Sequence, residues 1–282
     1  MRVKKLVISK MTSKKDKKSS RGKEVKLSSP KRGRLQQRVH PLPYSYIKPS
    51  EVTQEQLLQL ERDGFLKSQQ FLLWEVPDEK EKWPMVPIDK TLMFNHFIQM
   101  GLGIPTCDFL RGLLFYYGIE LPNLTPNGIF QISIFVHFCE AFIGIRPHFN
   151  LFRRLFYLKP QPKKDATSLV EGAGFQMRQE MRKLYLDYDM HSTNAGWKNL
   201  WWYVRDYKPK LPEYTGVAPV DFPEWRSLPT IAETIQVNEL LEKIAKLKEQ
   251  GVTRASVVFS WIKRRVQPLA QKENWGFEYK GI

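Results

Sequence analysis

Asp187 and Asp189, in the run Leu186-Asp187-Tyr188-Asp189, are the carboxylates whose spacing most invites chemistry. On an extended strand, residues two apart project from the same face, so this pair could share a divalent cation. Metal-dependent phosphoryl transfer uses such acids to hold two ions about 4 Å apart. A third acid would be needed, and Asp206 and Glu140 are the ones at hand. No spacing singles out either of them. Turn acids, or acids on a solvated strand face, are therefore the plainer reading of the pair. His137 and Cys139 stand two residues apart in an apolar run. On a helix they would face away from one another, so they make no nucleophile–base couple. A hydrogen-bonded core position suits His137 and Glu140 better.

The usual reaction signatures are missing. The sequence has no P-loop, no dinucleotide-binding glycine fingerprint, no nucleophile elbow and no His-Glu-x-x-His. Its two cysteines, Cys107 and Cys139, form no structural zinc spacing. They are expected to be free thiols in a reducing compartment. The reading is of a chain without metal site, cofactor or small-molecule substrate, with Asp187 and Asp189 as the one catalytic alternative.

Charge carries a different signal. The formal net charge is +16, but residues 1–40 hold 15 Lys and Arg against 2 Asp and Glu, a net of +13. The remaining 242 residues carry 30 basic and 27 acidic side chains, a net of +3. The basicity thus belongs to a leader. That leader is rich in Lys, Arg and Ser and poor in aromatics, so it buries too little apolar area to offset ordering entropy and is expected to be disordered. Lys14, Lys15, Lys17, Lys18, Lys31, Arg32 and Arg34 form its two densest clusters. Such clusters suit phosphate contact or nuclear import; an unselected solvated tail is the alternative. Contact of this kind would be weak, independent of base sequence and steeply salt-dependent. In the body, Arg178, Arg182 and Lys183 lie near Phe175 and Tyr185, and Lys263, Arg264 and Arg265 near Trp261. Cations beside aromatics can hold phosphates and stack bases, although core aromatics under a wet cationic surface would look the same.

The elements that would position these groups can be read in turn. Thr53 caps a short helix through Leu57, Leu58 and Leu60. Trp74 to Lys90 reads as a loop with three prolines. Thr91 to Met100 reads as helix, and so does Thr106 to Tyr117, stopped by Gly118. Thr125 is a natural N-cap with Pro126 at the first helical position. The following residues, Ile129 to Ile145, are apolar nearly all round, the mark of a helix buried in protein or lipid. The run is about 17 residues where about 20 are needed to span a bilayer. It also holds Glu140, whose ionised form would cost about 2.5 kcal/mol or more in the membrane. It is therefore expected to be the buried central helix of a fold in water. Phe149 to Leu158 reads as another short helix with Arg153 and Arg154 exposed. Residues 168–207 are short and aromatic-rich; Leu184, Leu186 and Tyr188 alternate with polar neighbours, which predicts a small antiparallel sheet. Residues 208–231, with five prolines, are expected to be a connector. Two helices follow, Asn238 to Lys248 and a second from Thr253 to Pro268; such a hairpin could dock on the body or self-associate.

One resemblance gathers these pieces. Gly101-x-Gly103-x-Pro105, Leu124-x-Pro126-Asn127, Phe138-Cys139-Glu140-x-Phe142-x-Gly144-Ile145 and Leu151-Phe152-Arg153 are similar to the gypsy-type transposon domain, also called transposase-like, of plant retroelements. So are Gly172-x-Gly174-Phe175-Gln176-x-Arg178, Tyr188-Asp189, Trp197-x-x-x-Trp201-Trp202-Tyr203, and the terminal Arg264-Arg265-x-x-Pro268-Leu269 with Phe277-x-Tyr279-x-Gly281. The resemblance covers roughly residues 45–215 and the terminal motif. It implies a domain encoded within or derived from retroelements, followed in longer members by a coiled coil. The family's label names no established active site. The zinc knuckle of retroelement capsid proteins, the Asp-Thr/Ser-Gly of aspartic proteases and the Asp-Asp of reverse transcriptases are absent.

The sequence therefore predicts an α+β chain. Residues 1–40 are a basic tail, and 41–215 are a domain with a helical part over 45–158 and a small sheet over 168–207. Residues 216–282 are connector and C-terminal helices. The expected role is non-enzymatic, with nucleic acid as a partner of the tail, self-association through the last helices and no membrane contact. No secretory signal opens the chain, which fits an intracellular and nuclear setting. A divergent metal-dependent nuclease is the alternative.

Overall fold

Thr53 opens the first helix as its side chain dictates. The hydroxyl accepts from Gln56 N at 3.3 Å, and the Gln56 side chain accepts from Thr53 N at 3.2 Å, closing a capping box. This helix, α1 (Gln54–Arg62), buries Leu57 and Leu60. The computed structural model describes residues 47–163, 166–186, 196–207 and 210–266. The basic tail over 1–40, Asp187, Asp189 and the terminal motif from Pro268 lie outside the described residues.

After α2 (Gln69–Leu72) comes β1 (Trp74–Glu75), and the expected loop follows it. The stretch expected to be one helix from Thr91 divides instead into β2 (Lys90–Phe94) and α3 (Asn95–Gln99). Thr91 through Phe94 are all buried, so apolar periodicity could not distinguish strand from helix there. The choice was made by a partner far along the chain. Strand β2 pairs antiparallel with residues 201–205, from Lys90↔Arg205 to Phe94↔Trp201. β1 pairs with the same strand on its other side.

The helical part follows. Helix α4 (Asp108–Tyr117) ends at Gly118, whose φ of 60° is the left-handed turn that glycine adopts without strain. Central helix α5 (Pro126–Phe138) opens as expected. Thr125 accepts from Gly128 N at 3.0 Å, and Pro126 stands where no N–H is needed. It passes into a π-helical turn, Cys139–Ile143, closed by Gly144. No described helix is long and apolar enough to cross a membrane.

Aromatic contacts show why α5 is buried on every side. Phe130 meets Trp261 edge-on at 5.3 Å. Phe135 stacks on Phe109 of α4 at 5.4 Å and meets Phe152 edge-on at 5.1 Å. Phe138 meets Tyr185 at 5.6 Å. Such tilted and offset pairs are the favoured geometry of ring quadrupoles.

Helix α6 (Phe149–Leu155) stops three residues earlier than expected and runs straight into β3 (Phe156–Pro160). A short hairpin, β4 (Pro162–Lys163) and β5 (Ala166–Thr167), leads to β6 (Ala173–Met177), and β7 (Trp201–Arg205) is the last strand described. The two strands described between 168 and 207 do not pair with one another: β6 pairs with β3, and β7 lies between β1 and β2. Residues 182–184 form a turn, with Leu184 exposed and Tyr185 and Leu186 both buried, instead of the expected alternation. The molecule is α+β with small antiparallel sheets, as the sequence indicates.

Residues 210–230 are no free connector. Glu120 accepts from Thr215 N at 3.1 Å and from its hydroxyl. Trp225, fully buried, donates to Tyr117 O at 2.8 Å. Ser227 shares a hydrogen bond of 2.9 Å with Tyr116, and Leu228 O accepts from Arg153 at 3.0 Å. A Cβ on Gly172 would lie 2.8 Å from Pro219, so the strap passes close over that glycine.

Helix α7 (Ile231–Glu249) begins seven residues before the expected Asn238, because Thr230 and Glu233 form a capping box. It buries Val237 and Ile244 against α6 and the π-helical turn. Helix α8 (Arg254–Trp261), capped by Thr253, buries Val257, Val258 and Trp261 and packs on α5. Of the apolar stripe Leu240, Leu241, Ile244 and Leu247, Ile244 is buried against the body and the three leucines are half-buried.

Candidate functional site

The carboxyl end of α5 concentrates the groups with chemical potential. His137 is 1% exposed, and its Nε2 lies 3.1 Å from Ser260 Oγ on α8. Burial pulls its pKa down to about 4, with the cationic Arg265 and Arg264 adding to the shift. Its Nδ1 has no hydrogen-bond partner among the described residues. A Ser–His couple needs an acid on that second nitrogen, an oxyanion site and room for substrate. Among the described residues no acid hydrogen-bonds that nitrogen and the ring is buried; the contact links α5 to α8. Cys139 is fully buried, and burial pushes its thiol up to about 12, far from the thiolate that nucleophilic attack requires. Glu140 points outward from the π-helical turn and pairs with Arg265. His137 therefore faces Ser260, and the expectation that it forms no couple with Cys139 agrees with this geometry.

The carboxylates proposed for metal chemistry can be placed only in part. Asp187 and Asp189 fall outside the described residues. Asp206 follows β7; its Oδ2 accepts from Leu211 N at 3.1 Å, and its own N–H donates to Asp89 O at 2.9 Å. Burial raises its pKa. It belongs to a shallow cleft with Thr91, Arg111, Arg205 and Tyr207, whereas Glu140 sits at the end of α5. Among the described residues, no three His, Cys, Asp or Glu side chains gather to hold a metal ion.

Of the body cations beside aromatics, Arg178 is tied into the fold. Arg178 donates to Arg153 O at 3.1 Å and to the carbonyls of Arg226 and Ser227 at 3.0 and 3.1 Å, with its guanidinium 5.6 Å from the Tyr157 ring. Phe175, Tyr185 and Trp261 are buried, so they offer no open face to a base. Arg153, expected on the surface, is buried. It reaches Asn150 Oδ1 at 3.1 Å and Ser227 Oγ at 3.0 Å, with its guanidinium 4.9 Å from the Tyr116 ring. Sequence reasoning missed this residue because its partners lie some 75 residues away on the strap. Arg154, by contrast, is the more open of the pair and meets Glu180. Lys263, Arg264 and Arg265 are exposed at the end of α8. The leader's Lys14, Lys15, Lys17, Lys18, Lys31, Arg32 and Arg34 lie outside the described residues.

One comparison with known proteins covers the central helix. Residues 92–160 match the family model described as "Putative gypsy type transposon". The match starts in β2, passes through α4, α5 and α6, and ends with β3. Among curated proteins and among solved structures, nothing matches the chain. The chain therefore carries, over residues 92–160, a gypsy-type transposon-like domain built around its buried central helix.

Proposed function

We propose that this chain is a non-enzymatic, retroelement-derived interaction protein whose leader contacts nucleic-acid phosphates weakly and without sequence preference. The observation that carries the reading is the separation of charge: a net of +13 over residues 1–40 beside a body of +3. A nearly neutral body supplies little steering field. Two of its best-placed cations, Arg153 and Arg178, are already bound to carbonyls of the strap. Lys14, Lys15, Lys17, Lys18, Lys31, Arg32 and Arg34 are the contacts assigned to phosphate, and the same clusters suit nuclear import.

The test is fluorescence anisotropy with random-sequence single- and double-stranded oligonucleotides over a salt series. The full chain is compared with a variant in which those seven cations are replaced by Gln. The variant should lose most binding at low salt, and the slope of log affinity against log salt should flatten, since each phosphate contact released contributes about 0.7 to 0.9 of slope. Equal affinity and equal slope for the two proteins would reject the leader as the contact.

A further inference from the structure

The strap and the first turns of α7 leave large apolar side chains in the open. Ile231 is 92% exposed and Ile235, one turn on, 66%. Phe115 on α4 is 62% exposed, and Val220, Phe222 and Leu228 of the strap are exposed as well. These residues come from one region. The Phe222 ring lies over Gly118 at the end of α4, 3.7 Å from where a Cβ would stand, and Phe115 is one turn before that glycine. Ser227 meets Tyr116 of α4, and Leu228 O accepts from Arg153 just before α7 opens. Together the six expose on the order of 600 Å² of apolar surface, taking roughly 170 Å² for each whole side chain. The largest apolar patch on a monomer is typically about 300–600 Å² and often functional, so this one stands at the upper end.

That area matches what one side of a stable homodimer requires. A standard interface buries about 800 Å² per partner, and in homodimers about 65% of it is apolar, or roughly 520 Å². The polar groups nearby point the same way. Asp221 accepts two hydrogen bonds from Arg226, at 2.5 and 2.8 Å. Glu233 accepts from Thr230 N at 2.7 Å and lies 3.7 Å from Arg153. These charges are paired within the chain, so the face calls for an apolar partner and not for an oppositely charged one. An anionic lipid surface fits it poorly, because Asp221, Glu224 and Glu233 outnumber Arg226 over this segment.

We propose that two copies of the chain meet on this face. A surface that demands no opposite charge can pair with itself, and a two-fold axis closes the assembly. In the pair, the Ile231–Ile235 row of one copy lies across the same row of the other, with Phe115 and Phe222 beside it. The row is short. Asn238 and Glu242, which follow on the same side of α7 at helical spacing, are exposed and polar. The contact is therefore a compact patch completed by the strap and α4, and not a coiled coil along the whole of α7. It requires neither the leader nor nucleic acid, so it stands or falls apart from the phosphate contact. Salt separates the two as well, because phosphate contacts weaken steeply with it and apolar burial does not depend on unscreened charge.

Sedimentation velocity over a concentration series of the full, nuclease-treated chain tests the contact. The buffer is reducing, because Cys107 is exposed, and holds about 500 mM salt, where exposed charges are screened beyond about 4 Å. A monomer–dimer equilibrium with a dissociation constant in the micromolar range or below is expected. The double variants Ile231→Lys, Ile235→Lys and Ile231→Glu, Ile235→Glu should each weaken it by about a hundredfold or more. Their far-ultraviolet circular dichroism should stay unchanged, because both side chains are exposed. Mixed in equal amounts at about 100 mM salt, the two variants should form a one-to-one dimer, since opposite charges then face each other across the axis. Phe115→Ser, remote in sequence, should weaken the parent dimer about tenfold. A parent that stays monomeric at its highest soluble concentration would overturn the proposal. A dimer unmoved by both charged variants would place association on another surface and overturn it too, as would charged variants that fail to pair when mixed.

Discussion

His137 shows how a single residue can be read correctly in kind and still lack its partner. An apolar run around an imidazole implies a buried, hydrogen-bonded ring, and the ring is buried. Ser260, its partner, is 123 residues away and carries no local signal. The energetic consequence has a definite sign. The unfolded ring takes up a proton near pH 6.5, and the folded one only near 4. The unfolded state therefore binds more protons between these values, so the stability contributed is complete above about pH 6.5 and is lost as pH falls towards 4. Urea midpoints at pH 7.5 and 5 should show the parent losing on the order of 2 kcal/mol more than His137→Gln. Equal losses in both proteins would show that the ring does not set the acid limb. Arg153 is the opposite case. Arginine is rarely buried without partners, so the sequence favours a surface position; the strap's carbonyl and hydroxyl are what take it inside.

At the scale of elements, stop and start signals were the legible part. Thr53 and Thr125 cap the helices they were expected to cap, and Gly118 and Gly144 end theirs at positive φ. These signals are local, because a cap needs only a side-chain oxygen within three residues of a free N–H. β2 was not legible, because a run buried on both faces has no period, and β7 alone decides its pairing. Gly101 belongs to both classes. It follows α3 with φ 91°, and a Cβ there would sit 2.6 Å from the Trp261 ring. Its turn role is local, whereas the close approach of α8 is tertiary. Thermal and urea unfolding should rank the two kinds of defect. Thr125→Ala should cost about 1 kcal/mol, and Gly101→Ala should cost more, since it combines a strained φ with a displaced tryptophan. A Gly101→Ala protein as stable as the parent would mean that α8 can withdraw from α5 without loss.

For the whole molecule, the strap from 210 to 230 is the feature that joins distant parts. It is fastened at Glu120, Tyr117, Tyr116 and Arg153, and its Trp225 side chain is fully buried. Trp225→Ala should cost about 3–5 kcal/mol and open the strap to protease. Limited proteolysis with mass spectrometry should then show early cuts between 210 and 230 that the parent resists, and an unchanged cleavage map would show that the polar fastenings suffice. By itself, the sequence determined what depends on near neighbours or on composition: the helix caps, the burial of an all-apolar helix, the segregation of charge into a leader, and the motif set of a transposon-like domain. Tertiary structure alone decided which strands pair, that a proline-rich connector is a pinned strap, and that Arg153 is covered. Each of those outcomes depends on groups tens to more than a hundred residues apart. Their free energy appears only once the chain has closed the intervening loops, and no local pattern records it.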